Sequence, residues 1–335
     1  MPQNNVDRIN HVCLIILAVV AVTAALIYTK SVMTLLIFSF FLYTVLATGI
    51  GFIDRYVKIQ RWVSVTLMMF LMFLLSVVFI SMMTNSIEEF VRGAKEYQSK
   101  FLEFVHWIEL QASIFGVTID TSIAQKFSRL HLFSYAQGLT ASIFTIIGKT
   151  FVVFIMTMFM ILGKQKAEIQ NEFLAEIHSK ISKYITVKIW ISLMTSGAFF
   201  IILTAFQVDL AIMFSVLAFV LNFIPSLGSI IVTVLPLPLI FLQYDISAKS
   251  FIIFILLSIV QIILGSVLEP KLLGEKLDLH PVTVLMSLLF WGLVWGLPGM
   301  FLAVPITAIV KIILSKIEST EDIAGLLAGR LPGKS

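Results

Sequence analysis

The chain has 335 residues, of which 59% are hydrophobic and only 13% charged, with a formal net charge of +4. A soluble globular chain carries roughly 25% charged residues, so this one lacks the polar surface a water-exposed body of its size needs, and lipid is the solvent implied. The single cysteine, Cys13, excludes an intrachain disulfide framework.

A membrane-spanning helix needs about 20 predominantly apolar residues. Runs at 12–28, 32–53, 62–83, 139–162 and 189–206 are of that order, the fourth interrupted only by Lys149. Ala21 and Ala24 make a weak cleavage site, and apolar residues continue past them, so the first run reads as a retained helix. Lys149 is placed to snorkel along its stem to the outer interface.

Beyond residue 210 the pattern changes. An apolar arm at 210–224 is broken by Pro225-Ser226-Leu227-Gly228 and resumes at 229–242. Each arm is about 22 Å long at 1.5 Å per residue, short of the ~30 Å hydrocarbon core. A full-length run follows at 251–268, and the broken pattern recurs at 282–297 and 301–314 around Pro298-Gly299. Two short, Pro/Gly-interrupted segments predict re-entrant hairpins or discontinuous helices; ordinary tight turns between tilted helices are the plainer alternative. The fold class expected is all-α, a polytopic integral membrane protein with about eight transmembrane helices including these hairpins.

Basic residues orient it. Arg55, Lys58 and Arg61 lie between the second and third spans, and Lys164, Lys166, Lys180, Lys183 and Lys188 between the fourth and fifth. Lys271 and Lys276 follow the 251–268 span, and Lys311, Lys316, Arg330 and Lys334 occupy the tail. Both termini are therefore expected in the cytoplasm. The organisation predicted is three spans (1–83), an extracytoplasmic amphipathic helical segment (84–138), a fourth span (139–163), a cytoplasmic amphipathic helix (164–188), a transport core (189–315) and a cytoplasmic tail (316–335). The outer segment carries an apolar stripe through Ile87, Val91, Ala94, Phe101, Val105 and Ile108, with a shorter helix expected after Asp120-Thr121. The inner one repeats Ile169, Phe173, Ile177, Ile181 and Ile185 every four residues, flanked by lysines, as an interfacial helix would.

Enzymatic signatures are missing. The five histidines, His11, His106, His131, His178 and His280, form no metal-type spacing, and there is no phosphate-binding glycine loop, nucleophile elbow or basic aromatic patch. No metal or cofactor is expected, and no nucleic acid partner. What remains is polar groups among apolar ones, which are costly in lipid and therefore candidates for function. Asn222 precedes the first break; its amide either hydrogen-bonds a polar solute or caps the broken helix. Gln261 lies inside the 251–268 run, bonding a neighbouring helix or lining a path. Glu269 ends that run before Pro270, which is expected to stop the helix. Its carboxylate binds a proton or Na⁺, pairs with Lys271 or Lys276, or simply meets water.

Three blocks, Asn-Phe-Ile-Pro-Ser-Leu-Gly at 222–228, Leu-Glu-Pro-Lys-Leu-Leu-Gly at 268–274 and Phe-Trp-Gly-Leu-Val-Trp-Gly-Leu-Pro-Gly-Met-Phe-Leu-Ala-Val-Pro at 290–305, resemble the autoinducer-2 exporter family of bacterial permease-like proteins in order and spacing. The resemblance implies a multi-pass protein of the bacterial inner membrane, homo-oligomeric, that exports small solutes such as the quorum-sensing signal autoinducer-2. Other family members look like Na⁺(Li⁺)/H⁺ antiporters, and a non-transporting scaffold is a third reading. The motif positions fall on Asn222, Pro225, Gly228, Glu269, Pro270, Gly274, Pro298, Gly299 and Pro305. With Gln261 they form the expected substrate or ion pathway, in which a glycine at each break lets the backbone approach a ligand and alternating access proceeds without ATP.

Overall fold

The computed structural model describes residues 3–56, 60–114, 132–163, 172–273 and 278–330, and among these the fold is all-α. The helices are α1 (Gln3–Tyr28), α2 (Lys30–Tyr56), α3 (Arg61–Ile114), α4 (Leu132–Gly163), α5 (Glu172–Ala205), α6 (Ala211–Leu221), α7 (Leu227–Val234), α8 (Leu237–Tyr244), α9 (Ala248–Gln261), α10 (Pro281–Trp295), α11 (Leu297–Leu314) and α12 (Glu321–Leu327). Six helical stretches among the described residues are long and apolar enough to cross a membrane: Lys30–Gly51, Trp62–Phe90, Ala175–Ala205, Leu227–Tyr244, Ala248–Leu273 and Leu297–Leu314. Ile147–Gly163, Ala211–Leu221 and Pro281–Trp295 are shorter apolar helices. The chain is a polytopic all-α membrane protein.

Several hydroxyl side chains within these helices find partners inside the protein, which offsets the cost of placing them in an apolar setting. Ser39, Thr44, Ser76, Thr84 and Thr233 each donate to the carbonyl one turn back. Thr157 bonds both its own helix at Val153 and, across to α2, the carbonyl of Ser39.

Residues 1–48, 152–184 and 275–335 form one compact unit; 49–151 and 185–274 form a second. In the first, α10 and α11 pack along each other as the arms of the second predicted hairpin. His280 caps α10, its ring nitrogen accepting from the Val282 amide, and Pro281 takes the first position, where its missing N–H would be unpaired anyway. The break falls at Gly296, whose φ of 73° suits a residue without Cβ. Pro298-Gly299, expected at the break, lies in the first turn of α11 instead, and Pro305 is a buried residue inside the same helix. Trp295 donates to the Leu26 carbonyl of α1, and the Phe301 ring packs against Phe38 and Phe41 of α2. Asp278 is held by Lys311 and Arg330, tying the approach to α10 to α11 and to the segment that follows α12.

In the second unit a core of Phe199, Leu203, Phe214, Ile240, Ile253 and Leu257 joins α5, α6, α8 and α9. The first predicted hairpin is α6 followed by a turn at 222–226 and then α7 and α8, with a further bend before Pro236. Two boundaries expected from the sequence do not interrupt the backbone. α3 runs unbroken through 54 residues, so the third apolar run and the outer amphipathic stripe are one helix. Likewise α5 carries the inner stripe from Phe173 onward straight into the fifth apolar run, Ile169 lying outside the described residues. Both stripes have helical periodicity, and nothing in either sequence stops a helix at the change in polarity. The predicted Asp120-Thr121 cap lies outside the described residues.

Beyond its apolar part, α3 packs on α6 and α8 through Phe90 and Tyr97. The Tyr97 hydroxyl donates to Asp209 at 3.1 Å, and Asp209 in turn meets Gln243 through both its amide and its carboxylate. Burial and the Asp209 carboxylate, with smaller contributions from Glu89 and Glu96, push the Tyr97 phenol well above its ordinary value. An unfolded tyrosine loses its proton near pH ~10, so the stabilisation from this proton is present below that pH and lost as pH rises above it. Tyr97→Phe is expected to cost about 1 kcal/mol at pH 8, and the gap from the unsubstituted protein should close as pH is raised above about 10. Thermal unfolding of both proteins in detergent across pH 8–11 reads it; a gap independent of pH would remove the phenol proton from the account.

Candidate functional site

The polar residues of the second unit converge on one buried cluster. α5 presents Lys188, Ser192 and Thr195 at i, i+4 and i+7, one face of a helix, and each is at most 1% exposed. Opposite stands Asn222, fully buried in the turn that ends α6. The third contributor is α9 with Gln261, 6% exposed, and the Glu269 carboxylate two turns on.

Lys188 Nζ sits 2.6 Å from Glu269 Oε1, and their side chains are 2% and 13% exposed. The same ammonium donates to the Asn222 main-chain carbonyl at 2.9 Å. Asn222 Nδ2 donates to Ser192 Oγ at 3.2 Å, and Gln261 Nε2 donates to Asn222 Oδ1 at 3.3 Å. The result is a continuous chain from Glu269 through Lys188 and Asn222 to Gln261. Removing two charges from water costs several kcal/mol per ion, and only close pairing with further hydrogen bonds offsets it. Here the pair is close, and the Asn222 carbonyl supplies a further bond.

How Glu269 reaches Lys188 depends on α9. The helix does not stop at Pro270. Ile262–Leu268 is π-helical, the Glu269 amide bonds back to the Leu264 carbonyl, and a last α-helical stretch, Glu269–Leu273, contains Pro270. A proline ring clashes with the carbonyl four residues earlier, and the wider π turn before it relieves that clash. Glu269 is therefore carried within a helix, where its partner is Lys188 and not Lys271, which lies two residues on and so on another face.

Of the residues singled out in the sequence, Asn222, Gln261 and Glu269 come together in this cluster. Pro225 and Gly228 lie beside it in the turn and first residues of α7, with Ser226 between them at a φ of 59°. Asn222 does not cap a helix with its side chain; the amide faces α5 and α9. A methyl added at Gly228 would strike the Leu221 carbonyl, and one at Gly299 the Trp291 carbonyl. Each glycine thus lets the two arms of its own hairpin touch, and that space is not open to a ligand. Pro298, Gly299 and Pro305 belong to the first unit, and Gly274 lies outside the described residues. Among the described residues no group of His, Cys, Asp and Glu gathers as metal ligands would.

Lys188 and Ser192 are the residues that sequence reasoning missed. Lys188 was grouped with the flanking lysines of the inner segment, yet it falls three residues after Ile185 and seven after Ile181, on the very face those isoleucines bury. That register was the available signal.

The family model for AI-2E family transporters matches residues 14–319. A Haemophilus influenzae protein, whose name gives transport as its expected role and no cargo, is 25% identical over 97% of this chain and 98% of its own length. The AI-2 transport protein TqsA of Escherichia coli is 26% identical over 81% of this chain and 82% of its own. A Borreliella burgdorferi protein, also named only for an expected transport role, is 36% identical over 46% of this chain and 42% of its own.

Proposed function

Since this chain belongs to the AI-2E family of transporters, we propose that it is a secondary exporter of a small polar solute, with autoinducer-2 as the cargo, in the bacterial inner membrane with both termini cytoplasmic. The observation that carries the reading is the buried chain Glu269–Lys188–Asn222–Gln261. Ionisable groups in apolar helices are expensive and mark solute or ion paths. The name of the Escherichia coli relative supports the cargo, and the distribution of lysine and arginine supports the orientation. The sequence holds no nucleotide-binding loop, which favours alternating access driven by a gradient. In this scheme the Lys188–Glu269 pair closes the path in one state and parts in the other.

Purified protein in liposomes loaded with autoinducer-2, under an imposed pH or Na⁺ gradient, tests this. Efflux is expected from the unsubstituted protein and is expected to disappear in Glu269→Gln. Retained autoinducer-2 together with Na⁺/H⁺ exchange would replace the exporter reading with an antiporter, and no flux of either would leave a scaffold.

A further inference from the structure

Within the cluster one side-chain carbonyl is unused. Gln261 Oε1 is buried and has no hydrogen-bond partner. A buried carbonyl left without a donor bears its desolvation penalty uncompensated, and native proteins keep few of them. Its direction is fixed by its neighbours. Asn222 gives its Nδ2 to Ser192 and so presents Oδ1 to Gln261. Gln261 must answer with Nε2, which leaves Oε1 pointing away. The carboxamide lies over Gly265, where an added Cβ would meet Gln261 Nε2 at 2.6 Å and Ser229 Oγ at 3.4 Å. Gly265 stands in the π-helical stretch, a distortion that is frequent at functional sites. A second orphan, Thr195 Oγ1, is buried on the α5 face that carries Ser192.

Charge narrows the ligand. Lys188 and Glu269 neutralise each other at 2.6 Å. An anion would have to take Lys188 from Glu269, and a cation would have to take Glu269 from Lys188. In the closed state that the structure shows, either exchange leaves one buried charge without its partner, the costly outcome for such a pair. An uncharged solute needs neither exchange. It needs only an O–H to give to the waiting carbonyl.

We propose that Gln261 Oε1, set over Gly265 in the widened turn of α9, is the acceptor for a hydroxyl group of a small uncharged solute. Gln261 is thus a specificity-determining residue that selects hydroxylated neutral molecules over organic ions. This inference rests on the reading of the chain as a solute exporter and assigns the binding chemistry of that same cluster.

Equilibrium binding to the purified full chain in nanodiscs, kept separate from flux, tests it. The probes are autoinducer-2, erythritol as an uncharged polyol and erythronate as its carboxylate counterpart. Binding of at least one uncharged probe is expected, with erythronate much weaker, and Gln261→Met should raise the Kd of that probe about tenfold. Gly265→Ala retains every polar atom but displaces the carboxamide, and it should weaken binding in the same direction; it also serves if Gln261→Met does not fold. Erythronate binding as tightly as the polyol, or no dependence on either substitution, or no binding of an uncharged probe, would overturn the assignment. The two readings fail separately. Absent autoinducer-2 flux with Gln261-dependent erythritol binding removes the cargo and keeps the subsite. Intact flux with unchanged binding in Gln261→Met removes the subsite and keeps the exporter.

Discussion

Lys188→Met is expected to destabilise the protein by about 3–5 kcal/mol, because Glu269 is left as a buried carboxylate without its counter-charge. Asn222 loses the donor to its main-chain carbonyl at the same time. The double substitution Lys188→Met/Glu269→Leu should recover most of that loss, since replacing both partners of a buried pair by apolar side chains is often neutral. Neither variant should transport. The combination separates fold from function: the double variant is expected to be folded and inactive, whereas a merely structural pair would leave it folded and active. Unfolding in mixed detergent micelles gives the stabilities, and flux in liposomes gives the activity. Equal stability of Lys188→Met and the unsubstituted protein would mean that the pair does not form.

The second large effect lies in the hairpin glycines. Gly228→Ala and Gly299→Ala each place a methyl against a main-chain carbonyl, of Leu221 and of Trp291 respectively. A flexible side chain would yield, but a carbonyl at the end of a packed helix moves only if the hairpin opens. Overpacking of this kind costs typically about 1–3 kcal/mol, and contact with backbone places it at the upper end. Gly148→Ala and Gly197→Ala are the matched controls, since an added Cβ meets nothing within 4 Å at either position. They should be neutral. The yield of monodisperse protein, with hydrogen exchange over 211–234 and 281–314, reads the difference. If all four variants behave alike, the close approach within the hairpins is not what the glycines are for.

Much of this architecture was legible beforehand, and the reasons for the exceptions are specific. Apolar length marks spans well because lipid leaves so few alternatives, and polar residues inside apolar runs stand out for the same reason; Asn222, Gln261 and Glu269 stand out that way, and the structure brings them into one cluster. Lys188 was hidden by its neighbours. It follows Lys180 and Lys183 in the chain, and counting lysines along a segment erases the helical face each one occupies. Pro270 misled for a different reason: a proline rule assumes an α-helix, and the preceding turn is π-helical. Pro298-Gly299 drew attention from Gly296, three residues earlier than Gly299, because Pro-Gly is the stronger turn signal while a lone positive-φ glycine shows nothing in sequence. The continuity of α3 and α5 was missed since a change in surface polarity is not a change in backbone preference.

The π-helical turn of α9 has a bearing on how this protein tolerates change. A π turn holds one residue more than the α turn it replaces, so the direction in which Glu269 points is set by the number of residues between Gln261 and Glu269 as much as by their identity. Inserting one residue into Ile262–Leu268, a turn that already holds its extra residue, would swing everything downstream by about 100° around its axis. Glu269 would then leave Lys188, although every side chain in the cluster had been kept. Substitution scanning cannot detect such a dependence, because it never alters the count. Within this helix, length variation is therefore the more informative lesion, and related chains that preserve the ion pair are expected to preserve the spacing between these two positions even where the residues between them diverge.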